Sequence, residues 1–195
     1  MTATHLSSNA SPVSTVSNAA NVSNTSIVWQ MDPMALDARL RDFLQEDIGH
    51  VDLTATLMVD EAMTGRFEMR AREPMTIAGL AVAARVFSLY DAGIDIERLV
   101  TDGQTVPEDT VLMRLQGPAR SLLTVERTAL NLIQHLSGIA TLTARYVERI
   151  GGTGAQPGDT RKTTPGPRAP EKHAGAGGGQ SGSASSWDRE ETAGG

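Results

Sequence analysis

No cysteine occurs in the 195 residues, which excludes a disulfide framework, a zinc–thiolate centre and a cysteine nucleophile. No run approaches the ~18 apolar residues of a membrane span. The first 31 residues hold no Lys, Arg, Asp or Glu and are dominated by Ser, Asn, Thr, Ala and Val. Such a segment buries little apolar surface, so residues 1–31 are expected to form a disordered tail. The first basic side chain is Arg39, so neither an arginine-bearing presequence nor a secretory signal with a basic start and apolar core is expected. The expected location is the cytoplasm. Asn21-Val-Ser and Asn24-Thr-Ser match the glycosylation pattern, but a motif so short arises by chance in an Asn/Ser-rich stretch. A net charge of −6, from 17 basic and 23 acidic residues, argues against general nucleic-acid binding while allowing a local cationic pocket.

What is present is ordinary for a globular chain of one or two small domains, with 39% hydrophobic and 21% charged residues. Asp32-Pro33 reads as an N-cap followed by proline at the first helical position, and Met34, Leu36, Leu40, Phe43 and Leu44 then share one helix face. Gly49 suits the helix end, and Asp52 with Thr54 suits a cap or turn. "TGRFEMRAR" alternates Phe67, Met69 and Ala71 with Arg66, Glu68, Arg70 and Arg72, the period of a half-buried strand. Pro74 interrupts it, and "LAVAARVFSLYDAG" reads as a helix closed by Gly93. Strand, Asp-Gly turn, proline loop and strand follow over 94–117. Two further helices are expected, at 121–136 and 139–150. The order describes an α+β module rather than regular βαβ winding.

Within the helix at 121–136, Leu122, Val125, Ala129, Leu130, Leu132, Ile133 and Leu136 cover one side at 100° per residue. Thr124, Arg127, Asn131, Gln134 and His135 cover the other. The stripe reads first as the solvated face of an amphipathic helix. Alternatively, Arg127 is an anion ligand, because a guanidinium holds a carboxylate through two parallel hydrogen bonds. His135 reads as a solvated or interface residue rather than a general base. Glu126 reads as a partner for local cations. Asp47, Asp52 and Asp159 lack metal-ligand spacing and read as caps and turns.

"EDIGHVDLTA", "AREPMTIAGL", "VERTALNLIQHLSGIATLTARYV" and "DTRKTTPG", in that order, resemble the quinolinate phosphoribosyltransferases, also called nicotinate-nucleotide pyrophosphorylases (carboxylating), over about residues 33–172. The resemblance implies an enzyme of NAD biosynthesis that joins quinolinate to phosphoribosyl pyrophosphate, giving nicotinate mononucleotide, carbon dioxide and pyrophosphate. It implies an N-terminal α/β sandwich followed by an open, incomplete α/β barrel, in a homodimer whose sites draw on both protomers. Magnesium would arrive bound to the diphosphate substrate. Arg127 in "VERTALN" matches the family arginine that reaches into the neighbouring protomer's site. Arg161 and Lys162, following Thr160 in "DTRKT", match the basic pair that grips the quinolinate carboxylates and the phosphate end. Arg168 and Lys172 fall within the match of "TPGPRAPEK" to the family's "TPGLRxLEK" and join the substrate-binding set. Anionic substrates call for such clustered cations, and no protein nucleophile is required.

The pattern changes after Gly151. Pro157 and Gly158 stand where the family has an apolar strand. Pro167 and Pro170 stand where apolar helix residues are expected, each costing ~3 kcal/mol inside a helix. Gly175 and the run at 177–179 weaken the same segment, and the glycine run reads as disorder rather than as a phosphate cradle. A complete α/β barrel needs ~200 residues. The domains expected are a tail at 1–31, a sandwich with its connecting helix at 32–137, the start of a truncated barrel at 138–172, and a disordered low-complexity tail at 173–195. A truncated or frameshifted family member, not active by itself, is the expectation. The alternatives are a related phosphoribosyltransferase, molybdenum-associated or nicotinate-specific, and a non-catalytic remnant or partner subunit that lends Arg127 to a longer chain.

Overall fold

Residues 33–49, 51–160 and 162–180 are described by the computed structural model. The Asp32 cap, the tail at 1–31, Arg161 and the end of the chain beyond 180 lie outside the described residues.

The first helix, α1 (Pro33–Ile48), buries Leu40 and Leu44. Gly49 closes it with φ +62, its N–H donating to the Gln45 carbonyl at 3.0 Å. A side chain there would be strained, so glycine ends the helix at little cost. Asp52 then starts α2 (Leu53–Met58) by accepting from the Ala55 N–H at 3.0 Å.

The expected half-buried strand is β1 (Thr64–Arg70), with Met69 and then Ala71 turned to the core. A two-residue strand, β2 (Met75–Thr76), leads into α3 (Leu80–Tyr90), and β3 (Asp95–Arg98), β4 (Thr105–Val106) and β5 (Val111–Pro118) follow. β1, β5 and β3 form one antiparallel sheet in that order, while β2 pairs with β4. The sheet's outer face is charged. Arg114 on β5 bridges Glu68 on β1 at 3.1 Å and Glu97 on β3 at 3.3 Å.

α4 (Ala119–Ile150) is a single helix of 32 residues, where two were expected. Ser137 and Gly138 read as a break, yet an interior glycine costs only ~1 kcal/mol, and the apolar stripe runs on from Leu136 to Ala140. Packing decides the matter: α4 lies against α1, α3 and the sheet, and Leu122, Val125, Ala129, Leu136 and Ala140 are fully buried.

A second correction concerns α5 (Arg168–Gly177), which forms despite its prolines and glycines. Pro167 stands at the cap and Pro170 at the third helical position. A helix's first N–H groups have no intrahelical partner, so proline there forfeits nothing. Residues 173–177, expected within a disordered tail, are thus helical. Ala174 joins Ala78, Leu136 and Ala140 in a small apolar cluster, and Gly178 lets the backbones close in. A Cβ at 178 would stand 2.5 Å from the Ala140 carbonyl oxygen and 2.6 Å from Thr143 Cβ.

Candidate functional site

The polar stripe of α4 divides into two settings. Near its N-terminal end, Arg127 Nε lies 2.8 Å from Asp47 Oδ1 and 3.1 Å from Oδ2. The arginine side chain is 67% exposed, so its charge stays available at the surface. Arg127 also lines a groove of about 470 Å³ between α2 and α4, with Met58, Leu123, Glu126, Leu130, Asn131 and Gln134 among its walls. Burial pushes the Glu126 carboxyl above its ordinary value, and no cation pairs with it among the described residues. Thr124, placed on this polar face by the sequence reading, is instead buried, as is Thr128.

Two turns further on, His135 Nε2 stands 2.7 Å from Glu171 Oε1. His135 was read as solvated or interfacial; it is half exposed but tied to a carboxylate only 8% exposed. Burial works against the charge of Glu171, and hydrogen bonds from His135 and Thr164 outweigh it, leaving the carboxyl below its ordinary value.

The "DTRKTTPG" segment leads from α4 into α5 and is knitted by its own polar groups. The Thr160 N–H donates to Asp159 Oδ1 at 2.7 Å, and the Lys162 N–H to Thr160 Oγ1 at 3.2 Å. Arg168 Nε donates to Thr163 Oγ1 at 3.0 Å. Lys172 Nζ lies 2.9 Å from Asp159 Oδ2, both side chains largely buried. Asp159 is thus both a turn residue, as expected, and half of an ion pair. Lys162 is exposed and has no ion-pair partner among the described residues. Its charge stays at the surface.

Thr160, Lys162, Arg168 and Lys172 therefore share one segment, whereas Arg127 sits against α1. From Arg127 to His135 is 8 residues, about 12 Å along the helix at 1.5 Å per residue.

Glu171 and Asp102 were missed by the sequence reading. Asp102 was taken only as a turn, and Gly103 does have φ +86. Its carboxylate also accepts from the Gly79 and Leu80 N–H groups at 3.0 and 2.9 Å and meets His173 Nε2 at 3.3 Å. Burial opposes its charge, and these three donors outweigh it, so the carboxyl is lowered. Glu171 stood beside Lys172 in the sequence, but only folding shows its oxygens engaged on both sides. Among the described residues no group of three or more His, Cys, Asp or Glu is placed to hold a metal ion, and no helix is long and apolar enough to cross a membrane.

A family model described as quinolinate phosphoribosyl transferase, N-terminal domain, matches residues 52–137, and that for the C-terminal domain matches residues 139–185. The chain belongs to the quinolinate phosphoribosyltransferase family. Family relatives include the probable nicotinate-nucleotide pyrophosphorylase [carboxylating] of Synechocystis, 44% identical over 139 residues, which are 71% of this chain and 47% of the relative. The Mycobacterium leprae nicotinate-nucleotide pyrophosphorylase [carboxylating] is 43% identical over 141 residues, 69% of this chain and 49% of that protein. A crystal structure of NadC from Streptococcus pyogenes superposes with a TM-score of 0.74 at 39% identity, over 77% of this chain and 53% of that one. The chain spans about half the length of these quinolinate phosphoribosyltransferase relatives. The α+β fold agrees with the family, its C-terminal match taking in the end of α4, the DTRKTTPG segment and α5.

Proposed function

We propose that the chain binds quinolinate and phosphoribosyl pyrophosphate, in the cytoplasm, and serves phosphoribosyl transfer with decarboxylation to nicotinate mononucleotide. The observation that carries this reading is the exposed Lys162 ammonium, which has no ion-pair partner among the described residues, in a segment where Asp159, Thr160, Thr163, Arg168 and Lys172 are engaged with one another or with the segment's own backbone. Thr160, Arg161, Lys162 and Arg168 supply positive charge and donors to the two carboxylates and the phosphates. Magnesium travels with the diphosphate, which suits a segment offering cations rather than carboxylates.

The ring nitrogen of quinolinate attacks the ribose C1 as the C1–O bond to pyrophosphate breaks, and pyrophosphate carries away the electron pair. The quaternised ring nitrogen then accepts the electrons of the C–CO₂ bond as carbon dioxide departs, and a proton from solvent takes its place. No protein nucleophile enters, so the protein's contribution is orientation and charge complementarity.

Arg127 pairs with Asp47 of α1 rather than with any group of this segment among the described residues. A homodimer in which Arg127 of one protomer faces the other's segment completes the site, and the exposed groove beside Arg127 is the surface for that contact. The same exposure supports a second reading, in which the chain lends Arg127 to a longer partner and does not itself turn over.

Calorimetric titration of the purified chain with quinolinate, beside an assay for nicotinate mononucleotide with magnesium, tests the proposal. Binding that weakens at least about tenfold in Lys162→Ala is expected, the loss of one charge-assisted contact. Binding indifferent to that substitution overturns the site. Binding without product selects the second reading.

A further inference from the structure

The segment carrying Thr160, Arg161 and Lys162 is anchored before and after by two adjacent residues of α5. Lys172 holds Asp159 by a largely buried ion pair at 2.9 Å. Glu171 accepts the Thr164 N–H through Oε2 at 3.0 Å and turns Oε1 to His135 at 2.7 Å. Successive residues on a helix diverge by ~100°, so neighbouring side chains reach opposite ends of the segment. His135 belongs to α4, the longest helix among the described residues, and this contact ties the bracket to the body of the fold.

We infer that Glu171 and Lys172 form a bracket that sets the position of the substrate-binding segment, and that both are positioning residues rather than ligands. The inference rests on the proposed function for what the segment binds, but not for the bracket itself. Lys172 was placed among the substrate-binding residues by resemblance; its ammonium is already engaged by Asp159, and only 23% of its side chain is exposed. A lysine recruited to a ligand would have to leave a carboxylate whose own side chain is 16% exposed, stranding that charge away from water. Glu171 is similarly committed, with one oxygen to each side. An acidic side chain would repel the anionic substrates if it faced them. Buried and turned to donors, it instead orders the backbone that presents Lys162.

The test has two readouts. Amide hydrogen exchange reports the bracket without any ligand. In Glu171→Gln and Lys172→Ala, exchange at residues 160–164 is expected to accelerate about tenfold while that of α3 is unchanged, because a charge-assisted hydrogen bond or buried ion pair is lost locally. Calorimetry with quinolinate then separates positioning from direct binding. Asp159→Asn weakens binding as much as Lys172→Ala if Lys172 acts through Asp159, and the double substitution adds nothing; Lys172→Arg restores most of the affinity. If Lys172 were a ligand, Asp159→Asn would free it and strengthen binding. Unchanged exchange at 160–164 in both variants overturns the bracket whatever the calorimetry shows. Absence of quinolinate binding by the unmodified chain overturns the proposed function alone, with the exchange data still deciding the bracket.

Discussion

Gly79 shows how much a single residue carries. It has φ +82, its N–H is one of two that Asp102 caps at the start of α3, and a Cβ there would run into Leu136 of α4. Leu136 is fully buried, so it has no room to withdraw. Gly79→Ala therefore combines left-handed backbone strain, ~1–2 kcal/mol, with overpacking of ~1–3 kcal/mol. A loss of roughly 3 kcal/mol in urea unfolding is expected; a loss under about 1 kcal/mol would mean that the α3–α4 contact is softer than the structure shows. The glycine was visible in "TIAGL", but its reason was not, since Leu136 lies 57 residues further on (136 − 79). The same limit governs the candidate site. Arg127, Lys162 and Lys172 stood out as cations beside short motifs. Glu171 did not, because its meaning depends on His135, 36 residues away.

At the scale of elements, α4 does something that its hydrophobic pattern does not announce. Ser137 Oγ accepts from the Ala78 N–H at 3.1 Å and lies 3.2 Å from the Ala78 carbonyl, and Thr141 Oγ1 accepts from the Thr76 N–H at 2.9 Å. Ile77, between them, bonds the other way, to Gln104 and Gly103. Two hydroxyls one helical turn apart thus complete the ladder of a two-residue strand whose other edge pairs with β4. Ser137→Ala would leave both polar groups of Ala78 without these partners in the interior, at a cost of about 2 kcal/mol, measurable by urea unfolding. Ser137→Thr, which retains the hydroxyl, should recover part of that, and an Ala variant as stable as the original would show that water takes over the role. Periodicity revealed the faces of α4 because burial follows a 100° repeat. It could not reveal that the helix runs through Ser137-Gly138, since both residues read as breakers until the strand segment that uses the serine is in place. α5 was misjudged similarly: the helix penalty for proline applies to interiors, and which turn is the first is fixed by docking against α4.

In the molecule as a whole, α5 is joined to the rest by polar bonds at consecutive residues. Glu171 meets His135 and Lys172 meets Asp159, while His173 meets Asp102, which in turn caps α3. The apolar contribution is modest, Ala174 being its one fully buried hydrophobic residue. Acid should therefore release α5 before the sheet. Asp102 and Glu171 are both held below ordinary values of 3.8 and 4.5. A depressed folded-state pKa means that the stabilisation is complete above those values. It shrinks as the unfolded chain takes up protons below them, and vanishes once pH has fallen through the folded-state values. Asp37, Glu68 and Asp91 are lowered as well, but the arginine pairs of the first two are solvent-screened and contribute little, and Asp91 bonds Ser121 and Gly93 rather than α5, so acid acts on α5 through Asp102 and Glu171. Protection factors from amide exchange between pH 6 and pH 3 should fall first in α5, beginning near pH 4.5, while β1 and β5, held by backbone bonds and Met113, stay protected. Asp102→Asn should weaken the His173 contact and remove part of this pH dependence, since its titrating carboxyl is gone. Simultaneous loss in α5 and β5 would instead mean that the small Ala78, Leu136, Ala140 and Ala174 cluster couples the last helix to the core more strongly than its ionic contacts do.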